Sequence, residues 1–520
     1  MLAGRGENQM KTSSRRLALI LMASVSAATF GLARDAKAGG QVTIGVTETI
    51  ASYNPYADSI SMGYAIWCQV YGCLGIYNYE KGDYVGMLVD RWEVDKADKN
   101  VWTFHLKRGL KRQNDGVEFT SADVVHSIDR INNDPQSKQK QNTSPIKETV
   151  ALDKYTVKIV TKEPTASLLE YIFDRVIISA KDLYDKHGAR EVDRKFPLGW
   201  GPYKLKELVI GQRIVLEKDT SHPDVKPQHP DTLIFSIMRE AEQRVTALIN
   251  NEIQIAQFIP PHLAERVSRA ANAELHPASS VEIMFLAMSP KYKPWDNLKL
   301  RQAVCYAIDR DLIIKNVLKG QADRLDGPIG PGQYGYDAEY TKKNLTIAYD
   351  PAKARELVKA SGYNNEVVYL DAPVGRYIND KELTEAMVPM LNAVGINARL
   401  RTPEWATLWA DVQKGKTPFY YMGRGSVVDP SVALSQYFET NGSPRIGISD
   451  PEIDRTLAAE RVTFDPVERK KALNFAFKAI EDAAPGCFMW RHHMLYGQSK
   501  TIVHKPNSAG RIFGTEIVVK

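Results

Sequence analysis

The sequence predicts an α/β fold on three observations. Segments with the period of two that is typical of strands alternate with segments whose apolar residues recur at helical spacing. Four Asp-Pro pairs in the C-terminal half are typical of helix starts, since the aspartate can cap the first turn and proline has the φ that this turn needs. The 520 residues are 43% hydrophobic and 25% charged, which is ordinary for a globular protein and excludes a wholly disordered chain.

The predicted elements follow one another in order. Apolar and polar residues alternate in six predicted strands: 41–46, 101–106, 155–160, 233–238, 367–370 and 397–401. Thr120 and Asp123 are spaced as in a capping box, where each side chain satisfies the free backbone donor of the other, so a helix is predicted there. Further helices are predicted over 297–319, over 382–394 and after the Asp-Pro pairs at Asp350, Asp429, Asp450 and Asp465.

The N-terminal segment has the three parts of a secretory signal. Basic residues at positions 11 to 16 precede a short apolar stretch, 17–31, and an A-x-A cleavage motif, 36–38. We therefore predict a signal peptide over 1–38, cleaved after Ala38, and an exported mature chain. Met10 is an alternative start, because the residues before it add nothing that a signal needs.

Charge and hydropathy exclude two classes of protein. The formal net charge is +6, and cleavage after Ala38 would remove six basic and two acidic residues, which leaves +2. A nearly neutral chain is a poor candidate for binding nucleic acid, which needs a basic face. No apolar run reaches the length of about 18 residues that a membrane-spanning helix requires, so a multi-pass membrane protein is excluded.

The cysteines and histidines do not indicate a metal site. The sequence leaves open whether Cys68 and Cys73 form a disulfide bond across a short loop, which an oxidising compartment would allow. Cys305 lies on the apolar side of a predicted helix and is expected to be a buried free thiol. His492 and His493 are adjacent rather than at ligand spacing. We therefore expect neither a metal nor a cofactor.

Several segments, taken together, resemble a known family. Residues 101–110 (VWTFHLKRGL) and 115–127 (DGVEFTSADVVHS) are similar to the central signature of the extracellular solute-binding proteins of family 5. These are the dipeptide- and oligopeptide-binding components of bacterial ABC importers. Further similar segments occur in the family's order at 199–203 (GWGPY), 300–310 (LRQAVCYAIDR), 349–357 (YDPAKAREL) and 391–397 (LNAVGIN).

The resemblance implies an architecture and a function. The fold would be an α/β, bilobal periplasmic binding protein of type II, with an extra inserted domain and a cleft that closes by a hinge. The chain would act as a monomer in the periplasm, capture a peptide or peptide-like solute between its lobes and deliver it to the membrane permease. The implied parts are domain I (39–73, 204–288 and 489–520), the inserted domain II (74–203) and domain III (289–488).

Arg376 is the first residue that the resemblance places in the ligand site. It matches an arginine that, in the dipeptide-binding branch, holds the C-terminal carboxylate of the ligand. A guanidinium group suits this role because it can donate two parallel hydrogen bonds to a carboxylate. The alternatives are a surface arginine and an ion pair within one lobe.

The segment that should hold the ligand's α-amine departs from the family. Aligning Asp429-Pro430 with the family's acidic-Pro pair puts Ser426 where an aspartate is usual and Gly423 where a tryptophan is usual. Ser426 offers no countercharge to an ammonium group, and Arg424 adds a positive charge. Asp429 could replace the aspartate, but it is also placed to cap the next helix. This pattern suggests an anionic ligand without a free α-amine, such as an opine or a sugar phosphate.

Other candidates are less sharply defined. Trp405 and Trp409 offer rigid aromatic walls for a side-chain pocket or, alternatively, a packed helix face. Ser59, Tyr64 and Trp67 lie near the family's first ligand-contacting loop. An exported hydrolase is the competing class, but the sequence has neither a G-x-S-x-G nor an H-E-x-x-H motif, and we expect no enzymatic activity.

Overall fold

The computed structural model describes residues 39–48, 50, 52–57, 59–425, 428–440, 442 and 444–520. The predicted signal peptide, 1–38, and Ser426 lie outside the described residues. Within the described ranges, no helix combines the length and the apolar character that crossing a bilayer would need.

Strands and helices alternate along the chain, as the sequence predicts. The strands are β1 (Gln41–Val46), β2 (Gly75–Asn78), β3 (Asp83–Gly86), β4 (Val89–Val94), β5 (Val101–Leu106), β6 (Ile146–Asp153), β7 (Thr156–Thr161), β8 (Tyr203–Val209), β9 (Arg213–Lys218), β10 (Thr232–Ile237), β11 (Ile255–Ala256), β12 (Ala273–Ser279), β13 (Ile283–Met288), β14 (Ala322–Arg324), β15 (Val368–Asp371), β16 (Ala398–Arg401), β17 (Phe419–Arg424), β18 (Gly486–Ser499), β19 (Ile502–Val503) and β20 (Val518–Val519). The helices are α1 (Ser61–Tyr71), α2 (Ser121–Asn133), α3 (Leu168–Ile172), α4 (Lys181–His187), α5 (Ala189–Lys195), α6 (Ala241–Ile249), α7 (Pro261–Ser268), α8 (Leu298–Ala307), α9 (Arg310–Asn316), α10 (Ala338–Asn344), α11 (Pro351–Ser361), α12 (Asp380–Ala393), α13 (Trp405–Gln413), α14 (Ser431–Phe438), α15 (Pro451–Arg461) and α16 (Pro466–Ala483), with short 3-10 turns at Lys140–Thr143 and Gly514–Glu516.

The largest sheet has twelve strands, and β18 connects its two halves. The order is β16-β15-β17-β13-β18-β11-β1-β10-β9-β8, while β12 and β14 also pair with β18. The first half of β18 is antiparallel to β13 and β14, and its second half is antiparallel to β11 and β12. One strand therefore runs through both parts of the molecule.

A separate antiparallel sheet has the order β4-β5-β7-β6. Along β5, Trp102, Phe104 and Leu106 are buried on the same face, as the alternation predicts. Helix α2 packs on this sheet and begins with the predicted capping box between Thr120 and Asp123.

Strand β13 is apolar along its whole length because both of its faces are buried. Met284, Leu286 and Met288 belong to one hydrophobic cluster, and Ile283, Phe285 and Ala287 belong to another. A third large cluster packs the N-terminal helix α1 between the two sheets. The strands whose ends carry the candidate site are packed in these hydrophobic clusters.

Most of the predicted helix starts are confirmed. Asp350, Asp450 and Asp465 each cap a helix through the side chain, whereas Pro430 takes the cap position of α14 and Asp429 lies before it. The single helix predicted over 297–319 is two helices, because the chain turns at Ile308 and Asp309 caps α9.

The prediction that Cys305 is a free thiol is wrong. Cys305 forms a disulfide bond with Cys487, because α8 packs against β18 and brings together two residues that are 182 positions apart. Cys68 and Cys73 are buried free thiols. The Cys68 thiol donates to the Asp174 carbonyl at 3.6 Å. The disulfide bond across the short loop between Cys68 and Cys73, which the sequence left open, is therefore not formed.

Candidate ligand-binding site

A cavity of about 570 Å³ lies between two separate parts of the chain. One wall belongs to 141–175, around the four-stranded sheet, and the other belongs to 376–445, on the far side of β13. This volume is typical of a small-molecule site, for which the usual range is about 300–1,000 Å³. We call this space the central cavity.

Arg376 lines the central cavity from the loop between β15 and α12. The loop is held by Asp380, a buried residue at the start of α12. Its carboxylate accepts hydrogen bonds from the backbone N–H groups of Gly375, Arg376 and Tyr377 at 2.9–3.0 Å. Asp380 therefore fixes the backbone from which the Arg376 side chain extends.

The guanidinium group of Arg376 lies over two aromatic rings. Its central carbon is 4.7 Å from the Tyr377 ring centroid and 5.2 Å from that of Trp405. Such contacts hold a cation without using its N–H donors. Among the described residues, Arg376 has no ion-pair partner within 4 Å, so these donors remain available to a ligand anion.

The aromatic wall continues beyond Trp405. Trp405 and Trp409 are stacked with centroids 5.7 Å apart and rings 15° from parallel. Arg445 lies over Trp409 at 5.0 Å and over Tyr437 at 4.8 Å. All four side chains line the central cavity and present a rigid aromatic surface flanked by positive charge.

Glu282 is the carboxylate that sequence reasoning missed. It lies directly before β13 and lines the central cavity together with Arg376. Burial raises the pKa of Glu282, and the Arg376 charge opposes that rise. In the sequence, Glu282 is an acidic residue at the start of an apolar run. This pattern usually marks the end of a strand and does not by itself indicate a ligand site.

Gly423, where the resemblance implies a tryptophan, lies against Glu282 and Tyr377. A Cβ atom at Gly423 would lie 2.7 Å from Glu282 Oε1 and 2.9 Å from the Tyr377 ring. A larger residue at position 423 would therefore require the Glu282 carboxylate or the Tyr377 ring to move.

The other acid in the cavity wall is already paired. Glu170 accepts a hydrogen bond from Arg175 at 2.7 Å and one from the Tyr84 hydroxyl at 2.9 Å. It also accepts a hydrogen bond from the backbone N–H of Asp429 at 3.1 Å, which links the two walls. Of the described acids that line the central cavity, Glu282 alone lacks an ion-pair partner.

Arg424 does not line the central cavity, contrary to the expectation that it would face a ligand together with Arg376. It is 2% exposed, and its guanidinium group donates to the Pro328 carbonyl and lies 6.0 Å from the Phe438 ring. Burial lowers the pKa of Arg424 to about 10. The physical reason is that the end of β17 packs against α14 and turns this side chain into the interior.

Asp429 does not line the cavity either. Its side chain is fully buried and accepts hydrogen bonds of 2.6 and 2.9 Å from Arg469, which also binds Glu460. Because Arg469 neutralises it, Asp429 offers no free charge to a ligand amine. Asp429 also accepts a hydrogen bond of 3.1 Å from the Ser431 N–H, but Pro430 takes the cap position of α14, so the predicted cap at Asp429 is not formed.

The three candidates near the family's first ligand-contacting loop do not line the central cavity. The Tyr64 hydroxyl accepts a hydrogen bond of 2.9 Å from Asn142, which lines the cavity, so Tyr64 supports a wall residue. Trp67 is buried in the hydrophobic core. Ser59 is exposed and does not line the cavity.

The fold and this cavity define the class: a binding protein that holds a small solute between two walls. Residues 83–444 match the family model described as bacterial extracellular solute-binding proteins, family 5 Middle. The chain belongs to this family. Its members are solute-binding components of transporters and not enzymes.

Known relatives support the family over most of the chain. The glutathione-binding protein GsiB of Pectobacterium atrosepticum is 25% identical over 478 residues, which cover 89% of this chain and 91% of GsiB. The dipeptide-binding protein of Escherichia coli strain K12 is 29% identical over 385 residues, 68% of this chain and 70% of the relative. The alternative of an anionic non-peptide solute is not favoured by these relatives.

Solved structures confirm the predicted α/β, bilobal periplasmic binding protein fold. HbpA2 from Haemophilus parasuis gives a TM-score of 0.84 at 20% identity, covering 92% of this chain and all of HbpA2. DppA from Helicobacter pylori, solved in complex with the peptide STSA, gives a TM-score of 0.70 at 21% identity, covering 93% of this chain and 98% of DppA.

Proposed function

We propose that the mature chain, 39–520, is a periplasmic receptor for small peptides that carry both a free carboxylate and a free α-ammonium group. It binds the peptide in the central cavity as a monomer, without chemical change, and delivers it to the permease of an ABC importer. The cleft between the two lobes closes by a hinge. The signal peptide 1–38 directs export.

The observation that carries this proposal is the pair of opposite charges in one cavity. Arg376 and Glu282 both line the central cavity and neither has an ion-pair partner within 4 Å among the described residues. A guanidinium group can bind the peptide's carboxylate through two hydrogen bonds, and a carboxylate can bind its ammonium group. Glu282 thereby replaces the aspartate that the aligned segment lacks.

The cavity walls and the relatives support the same ligand class. Trp405 and Trp409 offer contact area to an apolar side chain. Glutathione and dipeptides, which the two relatives are named for binding, both carry carboxylate and ammonium groups.

The first test identifies the natural ligand. The mature protein is purified from its own periplasm and weighed by native mass spectrometry before and after mild denaturation. We expect a monomer that begins at Gly39 and releases a peptide with a free amine. Release of an amine-free anionic compound would overturn the proposed ligand class and restore the alternative.

The second test assigns the two charges by calorimetry. Probes are glutathione, Ala-Ala, N-acetyl-Ala-Ala and the C-terminal amide of Ala-Ala. We expect Arg376→Ala to weaken Ala-Ala binding by about 2–5 kcal/mol, as when one partner of a buried charge pair is removed. The same substitution should leave the affinity for the C-terminal amide of Ala-Ala unchanged. Glu282→Gln should weaken Ala-Ala but not its N-acetyl form.

Arg455→Ala is the matched control, because Arg455 is exposed on α15 and, within the described ranges, has no ion-pair partner other than Glu452. It should leave every affinity unchanged. Equal losses for free and N-acetylated peptides in Glu282→Gln would contradict the assignment of Glu282 to the amine.

A further inference from the structure

Arg175 lines the central cavity from the wall that does not contain Arg376. It follows α3 in the wall formed by 141–175, whereas Arg376 belongs to the wall formed by 376–445. Each wall of this cavity of about 570 Å³ therefore presents a guanidinium group. Arg376 is assigned to the ligand carboxylate in the proposed function, whereas Arg175 has no role there.

The guanidinium group of Arg175 is held in place by its neighbours. Its Nη2 atom donates a hydrogen bond of 2.7 Å to Glu170 Oε1, and its central carbon is 5.9 Å from the Tyr64 ring centroid. Glu170 is fixed in turn, because its Oε2 atom accepts hydrogen bonds from the Tyr84 hydroxyl at 2.9 Å and from the Asp429 N–H at 3.1 Å. The position of Arg175 in the wall is therefore set before a ligand binds.

Most of the donors of Arg175 remain unused. A guanidinium group has five N–H donors, and the bond to Glu170 uses one of them. Asp174 is the only other acid within 4 Å among the described residues, but its Oδ1 atom is 3.8 Å from Nε, which is too long for a hydrogen bond, and Arg511 binds it. Nε and Nη1 have no hydrogen-bond partner in the described ranges, yet neither belongs to the fully buried unpaired atoms. Because 20% of the Arg175 side chain is exposed, a ligand in the central cavity can reach these donors.

Another arginine of this chain binds two carboxylates at once. Arg469 donates to Asp429 at 2.6 and 2.9 Å and to Glu460 at 3.0 and 3.2 Å. Arg175 is hydrogen-bonded to a single acid, Glu170, among the described residues. It can therefore bind a second carboxylate from the cavity without losing the first.

We propose that Arg175 forms a second anion subsite, so that the preferred ligands are small acidic peptides with two carboxylates and one ammonium group. One carboxylate binds Arg376, the other binds Arg175, and the ammonium group binds Glu282. Such a ligand contacts both walls of the central cavity and links them through charge-assisted hydrogen bonds. This inference rests on the proposed function.

Calorimetry with two matched pairs of dipeptides tests the subsite. Ala-Glu is compared with Ala-Gln, and Glu-Ala with Gln-Ala, because each pair differs by one charge at nearly equal size; Ala-Ala is the reference. At pH 7 the glutamate side chains are ionised. We expect at least one acidic probe to bind about tenfold tighter than its glutamine match, the scale of one hydrogen bond to a charged group. A gain for Ala-Glu alone places the second carboxylate on the C-terminal residue, and a gain for Glu-Ala alone places it on the N-terminal one.

Arg175→Gln removes the charge and keeps an N–H donor for Glu170. It should abolish the acidic preference and leave Ala-Gln binding within about twofold. Arg175→Met, which also removes the charge at similar length, serves if the glutamine variant does not fold. The matched control is Arg461→Gln, because Arg461 is 29% exposed and paired with Glu439 but does not line the central cavity. The control should keep the full preference.

Three outcomes would overturn the inference. They are the absence of an acidic preference in the wild type, its persistence in Arg175→Gln, and its equal loss in Arg461→Gln. If none of the dipeptides binds the wild-type protein, the proposed function fails and this inference fails with it. If Ala-Ala binds and Arg376→Ala weakens that binding, the three outcomes reject only the Arg175 subsite.

Discussion

The carboxylate of Asp380 accepts a hydrogen bond of 2.9 Å from the backbone N–H of Arg376. Asp380 is 3% exposed and binds four backbone N–H groups in all, those of Gly375, Arg376, Tyr377 and Lys381. The arginine proposed to bind the ligand carboxylate is thus placed by an acid that does not itself line the central cavity.

We therefore expect Asp380→Ala to weaken binding of Ala-Ala by roughly tenfold, because the loop would lose its charge-assisted hydrogen bonds. Calorimetry checks this, with Glu452→Ala on exposed α15 as the control. Combined with Arg376→Ala, the substitution should weaken binding no further. If Asp380→Ala weakens Ala-Ala binding by the same factor in the Arg376→Ala background, then Asp380 does not act by placing Arg376.

The disulfide bond should stabilise the protein strongly. It closes a loop of 182 residues between α8 and β18, and chain-entropy arguments give about 2–5 kcal/mol for such a cross-link. We expect a reducing agent to lower the melting temperature of the wild type and not that of Cys305→Ala/Cys487→Ala. Equal responses of both proteins to the reducing agent would contradict this assignment.

Arg469 should be essential for stability because its single positive charge is hydrogen-bonded to two fully buried acids, Asp429 and Glu460. Arg469→Ala would leave both acids without a countercharge, at a cost of about 3–5 kcal/mol. Urea denaturation measures this loss against Arg455→Ala, whose ion pair is exposed and should contribute little to stability. Similar losses in both variants would exclude the proposed role of Arg469.

Asp323 should make stability depend on pH at the junction of β14 and β18. Burial would raise its pKa, but hydrogen bonds from His493 and Ser279 and the charge of Arg491 lower the pKa to about 2. Because the folded pKa lies below the ordinary value of 3.8, the stabilisation is complete above pH 3.8 and is lost as pH falls through 2.

Asp323→Asn is therefore expected to lower the free energy of unfolding at pH 7 by about 1 kcal/mol. This value is reduced for solvent screening, since the Asp323 side chain is 37% exposed. Denaturant titrations at several pH values should show the wild-type and variant curves converging below pH 3.8. A constant difference down to pH 2 would contradict the role of the carboxylate charge.

Local patterns predicted the elements that depend on neighbouring residues. The capping box at Thr120, the Asp-Pro helix starts at Asp350, Asp450 and Asp465, and the alternating face of β5 are confirmed, because each involves residues within one turn or one strand. The helix predicted over 297–319 failed where Asp309 caps a new helix, since its apolar spacing continues across the turn.

The candidate site was predicted in part. Arg376 and Trp405 lie in the lining of the central cavity, and their binding roles stay predictions. Arg424 was misplaced because its charge suggested an exposed or ligand-facing group, whereas the packing of β17 against α14 buries it. Asp429 looked available because its partner, Arg469, lies 40 positions further along the chain.

The sequence by itself determined the α/β class, the family and most of the local caps. Only the tertiary structure decided that Cys305 pairs with Cys487 and that Glu282 and Arg376 share a cavity. The physical reason is distance along the chain. Periodicity and caps record contacts between near neighbours, whereas charge pairing and burial depend on residues that only folding brings together.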